Sequence, residues 1–113
     1  MRAKGVARTI LVTDAIAAAG CAPGTFAIGE VTCELSEDGR VSLPGTPYLA
    51  GSALTMDKAI QNSVRFAGVT LEEAAAMASS NAARFLGLDT VGTVTVEWSV
   101  EGRELRVLGT SAG

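Results

Sequence analysis

Among the side chains able to do chemistry, Asp14 is singled out by its setting. It closes the apolar run Ile10-Leu11-Val12-Thr13 and opens a small-residue stretch, Ala15-Ile16-Ala17-Ala18-Ala19-Gly20. A carboxylate in that place can form a turn, cap a helix, or act as a general base and acid at the open end of a strand. The count of histidines narrows the choice of chemistry, because it is zero. Histidine is the commonest protein ligand for zinc and the usual base near neutral pH, so neither a Ser-His-Asp nor a Cys-His site can be built from this chain. Ser52 accordingly reads as a helix cap and not a nucleophile, since no base is present to activate it. Cys21 and Cys33 are too few and too far apart for a disulfide framework or a zinc-knuckle spacing, and both read as small, half-buried thiols.

Charge and hydrophobicity exclude several classes of partner. Nine basic and twelve acidic residues are mixed along the chain and leave a formal charge of −3, with no basic stripe to neutralise a phosphate backbone. Nucleic acid is therefore not an expected partner. No apolar run approaches the roughly 18–20 residues needed to cross a bilayer, and the opening segment lacks the apolar region of a signal peptide. The expectation is a cytoplasmic chain with no membrane contact. A hydrophobic fraction of 48% in 113 residues is enough for the core of one modest domain.

The elements that would position Asp14 follow from periodicity and punctuation. Thr9 to Thr13 reads as a strand buried on both faces. After the loop through Gly20, Pro23 and Gly24, the stretch from Thr25 to Gly29 looks like β-structure. Val31, Cys33 and Leu35 then alternate with Thr32 and Glu34, and a turn at Asp38-Gly39 leads to Val41 and Leu43, which makes a hairpin with one buried face. The segment Pro44 to Ser52 is irregular and delivers the chain to a helix whose apolar face is Met56, Ile60 and Val64, with Ala53 and Ala67 beside them and Gly68 as its stop. Thr70 and Glu73 have capping-box spacing, so a second helix starts there, with Leu71, Ala74, Ala75 and Ala78 as a narrow face. Ser79 or Ser80 is placed to cap a third short helix ended by Gly87, and strands at Thr93 to Trp98 and Glu104 to Leu108 are joined at Glu101-Gly102. Met56 and Met77 are expected to fill core space, Asp57 and Lys58 to lie on a solvated face, and Trp98 to cover a strand edge.

Three blocks in order carry a resemblance to a known family: the Val12-Thr13-Asp14-Ala15 block, "LAGSALTMD" about thirty-five residues later, and "LEEAAAMASSNAARFLGL" from Leu71 to Leu88. Together they resemble the C-terminal part of the N-acetylglucosamine-6-phosphate deacetylases of the amidohydrolase superfamily, from about Arg8 to about Leu88. The resemblance implies a metal-dependent (β/α)8 barrel carrying a small β-sandwich made from both ends of the chain. On that reading residues 8–28 would be the last barrel strand and active-site loop, 29–47 a sandwich hairpin, 48–88 the substrate loop and helices, and 91–109 terminal strands. Taken alone, the chain would be a single compact α+β unit.

The same resemblance implies functional positions. Asp14 matches the aspartate that takes a proton from the attacking water and returns it to the departing sugar amine, and Leu49-Ala50-Gly51 matches the loop that contacts the sugar phosphate. The implied substrate is N-acetylglucosamine 6-phosphate, and the implied cofactor is a divalent, zinc-type metal. The family's metal ligands, a glutamate and two histidines, and a further substrate-contacting histidine have no counterpart here, so no metal site is expected within this chain. The family's Asn-Pro-Ala triplet stands as Asn81-Ala82-Ala83, and its penultimate strand is replaced by Val91 to Val100. The expectation is a piece of such an enzyme that is inactive alone. It would either associate as a homodimer through the apolar Ile10 to Thr13 edge or require the missing N-terminal barrel. Two other readings stay open: a free-standing interaction module, and one half of a split enzyme.

Overall fold

The computed structural model describes all 113 residues. It is α+β, and its backbone divides into two compact units: Thr13–Thr55, and Met1–Val12 together with Met56–Gly113.

The Thr13–Thr55 unit is a three-stranded antiparallel meander, β1 (Gly24–Ile28), β2 (Val31–Leu35) and β3 (Val41–Ser42). Ile28 faces Val31 across the first turn, and Leu35 faces Val41 across the second. That second turn is closed by Ser36, whose N–H donates to the Arg40 carbonyl at 3.0 Å and whose hydroxyl also bonds the Asp38 carboxylate. The alternation read from Val31 to Leu35 holds in space: Cys33, Leu35 and Val41 are buried with Ala18, and Ile16, Phe26, Ala50 and Ala53 pack on them. Cys33 is fully buried and Cys21 is exposed, so neither thiol is half-buried as expected. Ser52 does not cap the following helix, since its hydroxyl accepts from the Leu54 N–H at 3.1 Å and the helix starts only at Met56.

The second unit contains a 3-10 turn at Val6–Arg8, helices α1 (Met56–Ala67), α2 (Leu71–Ala78) and α3 (Ser80–Leu86), and a hairpin of β4 (Thr93–Ser99) and β5 (Glu104–Ser111). The capping box at the start of α2 is formed: Glu73 N–H donates to the Thr70 hydroxyl at 3.1 Å, and Thr70 N–H to the Glu73 carboxylate at 2.9 Å. Met77 is fully buried on the same helix. At the start of α3, Ser79 makes no side-chain cap, but Gly87 ends the helix in the left-handed conformation. In the hairpin Val96 faces Val107 and Trp98 faces Leu105, with a bulge between Thr95 and Val96.

Two features of this unit depart from the periodicity reading. The buried face of α1 is Ala59, Gln61 and Ser63, while Met56, Ile60 and Val64 are only half-buried. Gln61 is inside because its carbonyl oxygen accepts the Leu105 N–H at 3.1 Å, and Ser63 satisfies its hydroxyl on Ala59 O at 2.9 Å. The second departure is the run from Thr9 to Thr13, which forms no sheet ladder. Leu11 N–H donates to the Met77 carbonyl at 2.9 Å, and Val12 is 71% exposed.

Candidate functional site

Asp14 lies where the chain enters the Thr13–Thr55 unit. Its backbone adopts φ 50°, a left-handed conformation that few residues other than glycine, asparagine and aspartate take readily. The preceding Thr13 hydroxyl accepts the Ala15 N–H at 3.3 Å, which closes a small turn around the aspartate. Asp14 is exposed, and its carboxylate makes no hydrogen bond or ion pair within the chain. Neither a cap nor a turn bond therefore occupies that carboxylate.

Immediately beyond, Ala15 and Ser52 form a parallel bridge, and Ile16 N–H donates to the Ser52 carbonyl at 2.9 Å. Asp14 and Gly51 are the residues that precede this bridge on its two segments. The loop that carries Gly51 is anchored from its other end: Ser42 bridges Leu49, and Ala50 N–H donates to Val41 O at 3.0 Å. Residues 49–52 thus cross from the edge of β3 to the segment after Asp14 as a short, irregular continuation of the sheet. Beneath it the Cys33 thiol points at the Ala50 carbonyl at 3.9 Å.

Gly51 is the residue this crossing cannot replace. Its φ is 154°, and a Cβ there would lie 2.7 Å from Ile16 Cγ2. The close approach leaves the Gly51 N–H on the sheet's margin with no partner in the chain. Leu49 is 66% exposed and Ala50 is half-buried beside it. The arrangement offers a free carboxylate, a free backbone N–H and small side chains within one loop pair. Those are groups suited to holding a polar ligand and moving a proton. Ile16 and Cys33, which support this geometry, carried no sequence signal of that role beyond being apolar positions.

A metal ion does not fit the residues present. No three His, Cys, Asp or Glu side chains gather anywhere in the structure to hold one. In the other unit, a groove of about 1010 Å³ is lined mainly by apolar residues of α1, α2 and the β4–β5 hairpin, among them Met56, Ile60, Leu71, Val96 and Leu105. None of Asp14, Leu49, Ala50 or Gly51 belongs to it.

No family model matches the chain. Individual proteins do: a deacetylase of N-acetylglucosamine 6-phosphate from Lysinibacillus sphaericus is 40% identical over 94 residues, covering 83% of this chain and 24% of the relative. The resemblance is to the C-terminal part of the N-acetylglucosamine-6-phosphate deacetylases. An N-acetylgalactosamine-6-phosphate deacetylase from Escherichia coli O157:H7 is 44% identical over 85 residues, 74% of this chain and 22% of the relative. Among solved structures, the deacetylase from Pasteurella multocida superposes with a TM-score of 0.73 at 28% identity, over 91% of this chain and 28% of that one. The Mycobacterium smegmatis deacetylase, an aspartate-to-alanine mutant in complex with N-acetyl-D-glucosamine-6-phosphate, gives 0.68 at 32% identity over 77% and 24%. The small α+β fold with two sheets thus matches part of these deacetylases. This chain spans about a quarter of the length of these relatives. No helix is long and apolar enough to cross a membrane.

Proposed function

We propose that the chain provides the aspartate and the sugar-contacting loop of a deacetylase acting on an N-acetylated amino sugar 6-phosphate, with N-acetylglucosamine 6-phosphate as substrate. Asp14 accepts a proton from the water that attacks the acetamide carbonyl and returns it to the departing amine, releasing acetate and the amino sugar phosphate. Leu49, Ala50 and Gly51 meet the sugar phosphate through exposed backbone. The observation that carries this reading is the parallel bridge between Ala15 and Ser52, which joins the segment bearing the unpaired Asp14 carboxylate to the loop bearing Leu49, Ala50 and Gly51. It is supported by the relatives' names and by the relative in which an aspartate-to-alanine mutant holds the acetylated sugar phosphate.

The carboxylate does not hydrolyse an amide by itself. The divalent, zinc-type metal that such a deacetylase would use has no ligand set among these residues, so its ligands come from outside this chain. Alone, even with zinc added, the chain releases no acetate. The decisive experiment pairs it with the Lysinibacillus sphaericus deacetylase truncated to remove the matched 94 residues. Wild-type chain restores acetate release, and Asp14→Asn lowers the restored rate by roughly 10²–10⁴-fold, the usual contribution of a general acid-base group. Equal restoration by both chains, or turnover by the chain alone that disappears with Asp14→Asn, overturns the reading.

A second reading concerns assembly, and Val12 favours it. An extended segment with an apolar side chain 71% exposed is a template for pairing with another chain, here a second copy through residues 10–13. Sedimentation then gives a dimer mass that Val12→Lys halves. A monomer mass for the wild-type chain rejects it.

A further inference from the structure

Residues 49–52 are tied to the rest of the Thr13–Thr55 unit at both ends and are loose in the middle. Ala50 N–H donates to the Val41 carbonyl at 3.0 Å, and the Ser52 carbonyl accepts the Ile16 N–H at 2.9 Å. Between these ties lies the peptide unit that joins Ala50 to Gly51. Its N–H has no partner in the chain, and its carbonyl accepts one bond, from the Cys33 thiol at 3.9 Å. Cys33 is 1% exposed, faces Phe26 across the ladder and belongs to the buried cluster, so that carbonyl is turned towards the core. The chain has no cis peptide bond, and in a planar trans unit the C=O and the N–H point in opposite directions. A carbonyl drawn inward therefore sends the Gly51 N–H outward.

We infer that Cys33 is a positioning residue for the loop 49–51: its thiol fixes the Ala50–Gly51 peptide with the N–H outward, as a hydrogen-bond donor to an oxygen of the sugar phosphate. This rests on the sugar-contacting reading of that loop given above and sharpens it to one atom. With glycine on its far side, the peptide unit is sterically open to either orientation, so something must choose between them. The flipped unit would offer the ligand an acceptor in place of a donor. A thiol is a weak donor, but here it has only to separate two orientations of one peptide unit. The other members of the buried cluster, Ala18, Leu35 and Val41, have no side-chain donor with which to do so.

The test is the direction of the Gly51 N–H bond, read from residual dipolar couplings of the intact chain in Cys33→Ala, Cys33→Ser and Leu35→Val variants. Amides of the β1–β2 ladder supply the reference frame within the same unit. Serine and alanine are close in size and differ in the donor, so both leave a similar gap and only serine can hold the carbonyl. The Gly51 N–H departs from its wild-type direction in Cys33→Ala and keeps it in Cys33→Ser. It also keeps it in Leu35→Val, which thins the same cluster but spares the thiol. An unmoved Gly51 N–H in Cys33→Ala, or equal displacement in the alanine and serine variants, overturns the inference. In the complementation with the truncated deacetylase, loss of one hydrogen bond to substrate raises KM roughly two- to tenfold in Cys33→Ala with kcat nearly unchanged, and Cys33→Ser restores it. A displaced Gly51 N–H with an unchanged KM overturns the donor role. Failure of the wild-type chain to restore acetate release counts against the deacetylase reading alone, because the direction of the Gly51 N–H decides the role of Cys33 without turnover.

Discussion

Gly51→Ala tests the geometry beside Asp14 at its tightest point. The new Cβ would stand 2.7 Å from Ile16 Cγ2, and the backbone φ of 154° is one that residues with a Cβ rarely take. Ile16 cannot easily step aside, because a β-branched side chain is stiff at χ1 and this one packs on the Ala18, Cys33, Leu35 and Val41 cluster. Overpacking costs about 1–3 kcal/mol and a sparsely populated backbone about 1–3 more, so the substitution is expected to destabilise this unit by about 2–6 kcal/mol. The chain contains its own probe. Cys33 is 1% exposed within that cluster and Cys21 is exposed, so a thiol reagent labels Cys21 at once and Cys33 only when the unit opens. At about 1.4 kcal/mol per factor of ten, Cys33 labelling should accelerate about 30- to 20,000-fold with Cys21 unchanged. Ile16→Ala removes the clashing methyl, so the double variant should be more stable than the sum of the two single effects by about 1 kcal/mol or more. Wild-type labelling in Gly51→Ala, or effects that add within about 0.5 kcal/mol, would refute the reasoning.

Three further outcomes are expected. Gln61→Ala leaves the buried Leu105 N–H without its acceptor and costs about 1–3 kcal/mol, read as a lower urea midpoint by Trp98 fluorescence. Thr70→Ala removes one half of the capping box and costs about 1 kcal/mol in the same assay, with Thr70→Ser close to wild type. The Ser36 hydroxyl holds the Asp38 carboxyl below its ordinary range, aided by backbone N–H groups and the Arg40 charge and opposed by slight desolvation. A lowered folded-state value means that the bond's contribution is present above the ordinary carboxylate range and fades as pH falls through the lowered value. An NMR titration should show Asp38 returning towards the ordinary range in Ser36→Ala.

What could be read from the sequence was what the chain decides locally. The capping box at Thr70 and Glu73, the αL stop at Gly87, the alternation through Cys33 and the turn at Asp38-Gly39 depend on neighbours a few residues away. Features set by distant partners were not legible. Gln61 is polar on a helix whose apolar stripe was clear, and only the edge of β5 explains why it is the buried one. Thr9 to Thr13 has the composition of a central strand, yet its bonded partners are a helix carbonyl and the side chain of Asn81. The bridge between Ala15 and Ser52 spans a meander, and no residue near either position announces it.

Helix α3 holds the start of the chain: Asn81 Nδ2 donates to the Val6 carbonyl at 2.9 Å and the Thr9 carbonyl at 2.8 Å, and Arg84 to the Ala7 carbonyl at 2.8 Å. Every bond that Asn81 and Arg84 give to residues 6–9 ends on a main-chain oxygen, an atom that all twenty amino acids share. The side chains of Val6 and Ala7 can therefore vary over generations without loosening the hold, while the holding residues cannot, nor can Thr9, whose hydroxyl donates to the Gly5 carbonyl at 3.0 Å. Variation in this protein should thus accumulate on the strap and spare the buckle.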